Sequence, residues 1–164
     1  MKVYNGRMGK TTPGLPICLR PIGFVRSVMT ERTFKRLKMT ELFAEIVVDE
    51  SLLEGLDGLK DFSHIIVLYW MHLANQGTEH LKGHPRGDTS TSKGVFALRS
   101  PDRPNPIGKS TVRLLEIKGN VLRVQGLDAI DGTPVLDIKP FIPGYDSAAN
   151  PKTPDWVVID KEEL

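Results

Sequence analysis

Apolar and polar residues alternate along this chain in short bursts separated by glycine, proline and aspartate, with no long stretch at helical period. Residues 43–48, Phe-Ala-Glu-Ile-Val-Val, alternate as a half-buried strand does. Residues 22–27 form a shorter β-prone run ahead of them. Residues 65–70, Ile-Ile-Val-Leu-Tyr-Trp, are the most hydrophobic run in the chain. They are β-branched and aromatic and too few for a buried helix, so they predict a central strand. Residues 94–98 predict another short strand. Residues 112–118 and 121–127 flank Gly119-Asn120, a pair that tolerates positive φ and therefore predicts a hairpin. Asp131-Gly132 predicts the next turn, leading into a strand over 135–138, and 156–159 is a last β-prone run. Helical signals are few. Residues 50–58 predict a turn or two of helix ended by Gly58, and the basic stretch 30–40 fits either a loop or a short helix. Residues 76–92 carry no apolar period and predict a long loop. Short strands at near-regular spacing predict an all-β fold, a barrel or a sandwich.

A length of 164 residues with 40% hydrophobic and 26% charged residues suits one globular domain with its own core. The expected organisation is an irregular leader over residues 1–20 and a single domain over 21–164. Cys18 is the only cysteine, which removes any intramolecular disulfide framework and favours a reducing, cytoplasmic setting. No apolar run approaches the roughly 20 residues of a membrane helix. The N-terminus has no apolar core of a secretory signal. Charge changes the picture more. The net charge is only +2, yet the window from residue 82 to 113 holds Lys82, Arg86, Lys93, Arg99, Arg103, Lys109 and Arg113 against Asp88 and Asp102, which leaves it at +5. Such a window suits a phosphate-bearing partner, although a solvated basic surface is the commoner explanation of a charge cluster taken alone.

Candidate chemistry is sparse by the usual signatures. His80 and His84 have the spacing of a helical metal pair, but Gly83 lies between them and Pro85 follows, which disfavours the helix that the pair would need. No metal is expected. Asp128, Asp131, Asp137 and Asp146 match no known metal loop. Asp131 has a sufficient explanation in its turn, whereas Asp128 has none. No phosphate-binding glycine loop and no serine-hydrolase elbow is present.

Two segments stand out: residues 94–108, which end Arg103-Pro-Asn-Pro-Ile-Gly108, and residues 125–140, which contain Asp131-Gly-Thr-Pro134 and Asp137-Ile-Lys-Pro140. Together they closely resemble the S-adenosylmethionine-dependent tRNA methyltransferase O family, also called TsaA-like. Ile22-Gly-Phe-Val-Arg-Ser27 and Asp61-Phe-Ser-His-Ile-Ile66 are weaker echoes in the same order, so the resemblance runs from about residue 22 to 145. It implies an all-β, single antiparallel β-barrel with few short helices, acting as a homodimer with S-adenosyl-L-methionine bound near the subunit boundary. The methyl acceptor it implies is the exocyclic nitrogen of a threonylcarbamoylated adenosine beside the tRNA anticodon. Carried over by position, the cofactor contacts are His72, Leu73, Arg99, Lys109, Gln125, Gly126, Leu127 and Asp128. Arg103 and Asn105 are the expected substrate contacts, and Asp131 and Lys139 the expected groups for proton handling or orientation. The chain departs from the family where many members carry Pro-Arg-Gln after the first strand, since residues 31–38 have no such triplet. It departs again where a His-Gln pair is His72-Leu73. It is also expected to lack the C-terminal domain of longer bacterial members. The alternatives to a tRNA methyltransferase are a methyltransferase with another acceptor (a small molecule, another RNA or a protein) and a non-catalytic RNA-binding module.

Overall fold

A computed structural model describes residues 17–30, 38–75, 81–85 and 89–157. Its strands are β1 (Gly23–Ser27), β2 (Phe43–Val48), β3 (His64–Trp70), β4 (Lys82–Gly83), β5 (Lys93–Gly94), β6 (Ile107–Lys118), β7 (Val121–Gln125) and β8 (Pro134–Pro140). Six of them close into an antiparallel barrel in the order β1-β2-β7-β6-β3-β8, and β4 pairs with β5 in a separate ribbon. Among the described residues the remaining regular structure is a set of short 3-10 turns and one four-residue α-helix, α1 (Pro143–Asp146).

Alternation decides which side chains fill the barrel. Val25 of β1, Ala44, Ile46 and Val48 of β2, Ile65, Val67 and Tyr69 of β3, Val112 of β6, Leu122 and Val124 of β7, and Val135 of β8 are all buried in one cluster. The outer wall between β1, β2, β7 and β6 carries charge instead. Arg26 pairs with Glu45 at 2.8 Å, and Glu45 lies opposite Arg123, which lies opposite Glu116. Two glycines permit close approach at inward or crossing positions. A Cβ at Gly23 would collide with the carbonyl oxygen of Val47, and one at Gly108 would fall within the ring of Tyr69.

The strands expected at 22–27, 43–48 and 65–70 are present, as is the turn of helix before Gly58, here a 3-10 segment over Glu50–Leu56. The hairpin forms, but only Gly119 takes positive φ (57°); Asn120 instead donates its side-chain amide to the carbonyl of Val48 across the barrel end. Three expectations are corrected. Residues 94–98 are not a strand: only Gly94 lies in one, and Val95–Ala97 is a 3-10 turn. Val95 alone is buried there, while Phe96 is 79% exposed, so the run lacks a second inward residue and a neighbouring strand to pair with. The loop expected over 76–92 contains β4, two residues held against β5. β6 starts at Ile107, five residues before the sequence pattern signals it, because β3 pairs with it up to Trp70 opposite Ile107. Residues 1–16, 31–37, His80, Arg86, Asp88 and 158–164 lie outside the described residues. Trp156 sits in a turn with Lys93 5.4 Å from its ring centre.

Candidate active site

One mouth of the barrel collects the ends of β1, β3 and β7 and the starts of β2, β6 and β8. The loops over it are tied to one another. Met71 N–H donates to the carbonyl of Pro106 (2.8 Å), and Asn75 N–H to Asp102 Oδ1 (2.9 Å), joining the loop after β3 to the loop before β6. Asp131 N–H donates to the carbonyl of Met29, and Ser27 N–H donates to Asp131 Oδ1 (2.9 Å), fastening the 126–133 segment to β1. That segment crosses the mouth and closes it from within: Leu127, Ala129 and Thr133 are all at most 2% exposed.

The geometry of β6 creates a notch. β7 ends at Gln125 opposite Arg113, so residues 107–112 of β6 are flanked by β3 on one side and by no strand on the other. At Gly126 the chain takes φ 91°, a left-handed conformation that glycine adopts freely, and its N–H bonds to the carbonyl of Leu42. This turn sends Leu127 into the core and brings Asp128 across the notch to β6. There Ser110 Oγ donates to Asp128 Oδ1 at 2.9 Å and Tyr69 Oη reaches the same oxygen at 3.2 Å, with Tyr69 and Ser110 3.1 Å apart. On the other flank, Arg99 Nη2 donates to the carbonyl of Lys109 at 3.0 Å.

The structure thus brings Arg99 and Asp128 to one notch, with the backbone of Lys109 between them in sequence and space. His72 and Leu73 cap the same mouth. His72 Nδ1 lies 3.4 Å from Thr133 Oγ1, a long contact, and the Leu73 side chain is exposed. Gln125 turns its amide to the carbonyl of Thr40 (2.6 Å), so together with Gly126 it anchors the 3-10 turn at Met39–Glu41. Arg103 donates to the carbonyls of Val95 (3.3 Å) and Leu98 (3.5 Å), shaping the loop from inside, and Asn105 is exposed with its carbonyl accepting from Ile107 N–H. The Lys109 side chain points outward and donates to Thr111 Oγ1. Lys139 lies on the outer wall, opposite Ile66, with its ammonium 2.6 Å from Asp137. No contact joins Lys139 to the Asp128 cluster, and the Asp131 carboxylate accepts from the N–H of Ser27 at the end of β1. Among the described residues no group of three or more His, Cys, Asp or Glu gathers to hold a metal.

Tyr69 and Ser110 escaped sequence reasoning. The signal was present: a hydroxyl at Tyr69, in phase with inward Ile65 and Val67, and Gly108-Lys-Ser110-Thr-Val112, whose inward positions include a glycine and a serine. Burial, followed by the negative charge of Asp128, pushes the Tyr69 phenol up to about 12, while the Ser110 hydrogen bond and the charge of Arg99 pull the other way. The neutral phenol is therefore the form the fold stabilises. Its contribution, about 2–3 kcal/mol for a shift of this size, is complete below the unfolded-state value near 10 and disappears as pH rises through about 12. Wild-type protein should lose stability between those limits more steeply than Tyr69→Phe. One of its three tyrosines should develop near-ultraviolet phenolate absorbance later than the others. Identical alkaline profiles for the two proteins would contradict the burial of this phenol.

A hollow of about 490 Å³, lined by Gly23, Phe24, Val47, Val48, Asp49 and Asn120 among others, opens at the opposite mouth. None of the expected residues lines it. Its carboxylate Asp49 is already held by Ser51, through both the Ser51 backbone N–H and hydroxyl, which lower its pKa. Side chains of both charges from the two sequence motifs converge at the notch, whereas the charged groups lining this hollow, Asp49 and Glu50, are both acidic.

Comparison with known proteins agrees with the arrangement of strands and motifs. Residues 34–147 match the tRNA-methyltransferase O N-terminal domain family. The chain belongs to this family. A Methanothermobacter thermautotrophicus protein described as a probable S-adenosyl-L-methionine-binding protein is 45% identical over 135 residues, covering 81% of this chain and 96% of that one. The mouse tRNA (adenine(37)-N6)-methyltransferase is 43% identical over 96 residues, covering 58% of this chain and 22% of the mouse protein. The crystal structure of TrmO from Pseudomonas aeruginosa superposes with a TM-score of 0.67 at 32% identity, over 84% of this chain and 62% of that one. The chain therefore spans less than two thirds of the solved TrmO chain and about a fifth of the mouse enzyme.

Proposed function

We propose that this member of the tRNA-methyltransferase O family is an S-adenosyl-L-methionine-dependent methyltransferase acting on tRNA, with threonylcarbamoyl-adenosine beside the anticodon as its acceptor. The observation that carries the reading is the notch itself, where a cation (Arg99) and a carboxylate (Asp128) from the two family motifs are brought together at the mouth of the barrel. The names of the archaeal and mouse relatives support the cofactor and the acceptor class respectively.

The residues fit the cofactor. It carries an ammonium, a carboxylate, hydroxyls and an adenine, and the notch offers the guanidinium of Arg99 and the carboxylate of Asp128 as complementary partners. When bound, S-adenosylmethionine supplies a methyl group already activated on a sulfonium, so the protein's task is to align donor and acceptor. Orientation of this kind lowers barriers by roughly 7–11 kcal/mol in favourable cases. His72 and Leu73 would border the cofactor from the β3 loop, and Gln125 and Gly126 hold the backbone that presents Leu127 and Asp128. The acceptor nitrogen must give up a proton. Asp131, exposed at the same mouth, would receive it; Lys139, paired with Asp137 on the outer wall, would act on substrate only from outside the barrel. An anticodon loop presents unstacked bases without duplex opening. Exposed Asn105 and the basic side chains Lys82, Lys93, Lys109 and Arg113 would meet its backbone, with Arg103 maintaining the loop that carries Asn105.

A second copy of the chain would cover the same mouth. Phe43, Leu73 and Ile107 are exposed apolar residues around it, and the notch is open on the side away from β3. A homodimer would cover both. No helix among the described residues is long and apolar enough to cross a membrane, and a tRNA substrate would be met in the cytoplasm.

The deciding experiment pairs titration calorimetry with methyl incorporation from labelled cofactor. Saturable heat with S-adenosylmethionine is expected, as is label in tRNA from a wild-type strain but not in tRNA from a strain lacking the threonylcarbamoyl group. Absence of heat would overturn the cofactor assignment. Equal labelling of both tRNAs would overturn the acceptor and leave a methyltransferase with a different substrate.

A further inference from the structure

Asp128 has an unequal carboxylate. A carboxylate offers about four lone-pair directions, two on each oxygen. The three oxygens of Tyr69, Ser110 and Asp128 share two hydroxyl hydrogens, and every contact to Asp128 falls on Oδ1. Oδ2 accepts from none of the described residues, and no buried side-chain oxygen among them is left without a partner, so Oδ2 is the oxygen that remains open to solvent at the notch. Tyr69 is held in place in turn, because its ring lies over Gly108, where any side chain would displace it. The raised phenol keeps its proton and so remains a donor to this carboxylate across the physiological range.

This asymmetry restricts what Asp128 can read. A vicinal diol such as a ribose edge is gripped by both oxygens of a carboxylate, one for each hydroxyl, and here one of the two is engaged. A single strong donor, an ammonium above all, needs only one oxygen and gains a charge-assisted bond. Arg99 stands close enough for its charge to act on the same phenol, and among the described residues it pairs with no carboxylate. An anion with one open oxygen beside an uncompensated guanidinium is the complement of an α-amino acid group.

We propose that Tyr69 and Ser110 are positioning residues that engage Oδ1 of Asp128, so that Oδ2 and Arg99 receive the ammonium and carboxylate of the amino-acid end of the cofactor rather than its ribose. This rests on the reading of the notch as an S-adenosylmethionine site. The test compares two ligands by calorimetry: S-adenosylhomocysteine, which keeps the amino-acid end, and 5′-methylthioadenosine, which keeps adenine and ribose and lacks it. Tyr69→Phe and Ser110→Ala should each weaken S-adenosylhomocysteine by about tenfold, the loss of one hydrogen bond to a charged group. Binding of 5′-methylthioadenosine should be unchanged, and Ser110→Thr, which keeps the hydroxyl, should restore most of the affinity. The unchanged ligand also reports that each variant is folded. Equal weakening of both ligands would overturn the assignment and return Asp128 to the ribose. Failure of wild-type protein to bind either ligand would instead remove the cofactor reading, and this proposal with it.

Discussion

Asp128→Ala should weaken S-adenosylmethionine binding by about 10²-fold, the equivalent of roughly 2–3 kcal/mol for hydrogen bonds to a charged group. The expectation follows from position. Among the described residues Asp128 is the carboxylate whose bonds run to β6 across the notch, and a backbone reversal at Gly126 brings it there. Folding should be little affected, because Tyr69 keeps Ser110 as a partner at 3.1 Å. The substitution should also leave a second signature. Asp128 raises the Tyr69 phenol through its charge and its hydrogen bond, so the alkaline titration of Tyr69 should move down in the variant. Calorimetry and phenolate absorbance measure the two effects separately. Wild-type affinity together with a lowered phenol would leave the cluster intact as described but detach it from cofactor binding.

Gly108→Ala should be the more damaging change to the site as a whole, although it adds only one methyl group. The new Cβ would fall among ring atoms of Tyr69, which is buried among Ile65, Val67 and Val112 and has little room to withdraw. Overpacking of this kind costs about 1–3 kcal/mol. Any displacement of the ring also moves the hydroxyl that holds Asp128, so cofactor affinity should fall alongside the melting temperature. Gly94→Ala is the matched control: it lies in the same family motif, has φ −62°, and has nothing within 4 Å of the added carbon. If Gly108→Ala melts and binds as Gly94→Ala does, the packing of Tyr69 across β6 is not as described here.

The two substitutions differ in how far sequence could have anticipated them. Asp128 was singled out because no turn explained it, and the family motif supplied a role. Gly108 closed a motif without a stated reason, and the reason is a side chain 39 positions away on a neighbouring strand. Arg103 shows the converse. The resemblance implies a substrate contact for Arg103, and what the tertiary structure adds is that its guanidinium donates to the carbonyls of Val95 and Leu98. The stretch 94–98 misled for a related cause. Its apolar residues look like a strand, but a strand needs a partner edge, and the nearest described one, β4, is only two residues long.

What the sequence determined by itself is the part that depends on neighbours along the chain. Alternation in residues 43–48 and 65–70, the glycine turns at 119 and 132, and the spacing of short apolar runs already specify antiparallel strands with one inward face, and the motifs at 94–108 and 125–140 specify the family. Only the tertiary structure decided which strands are adjacent, that β7 stops opposite Arg113 and leaves a notch, and that Asp128 meets Tyr69 and Ser110 there. The physical reason is that strand periodicity is local, whereas closure of the barrel and the stagger of its strands are satisfied jointly by all six strands. A side chain's chemistry at the mouth follows from that stagger, which no single segment carries.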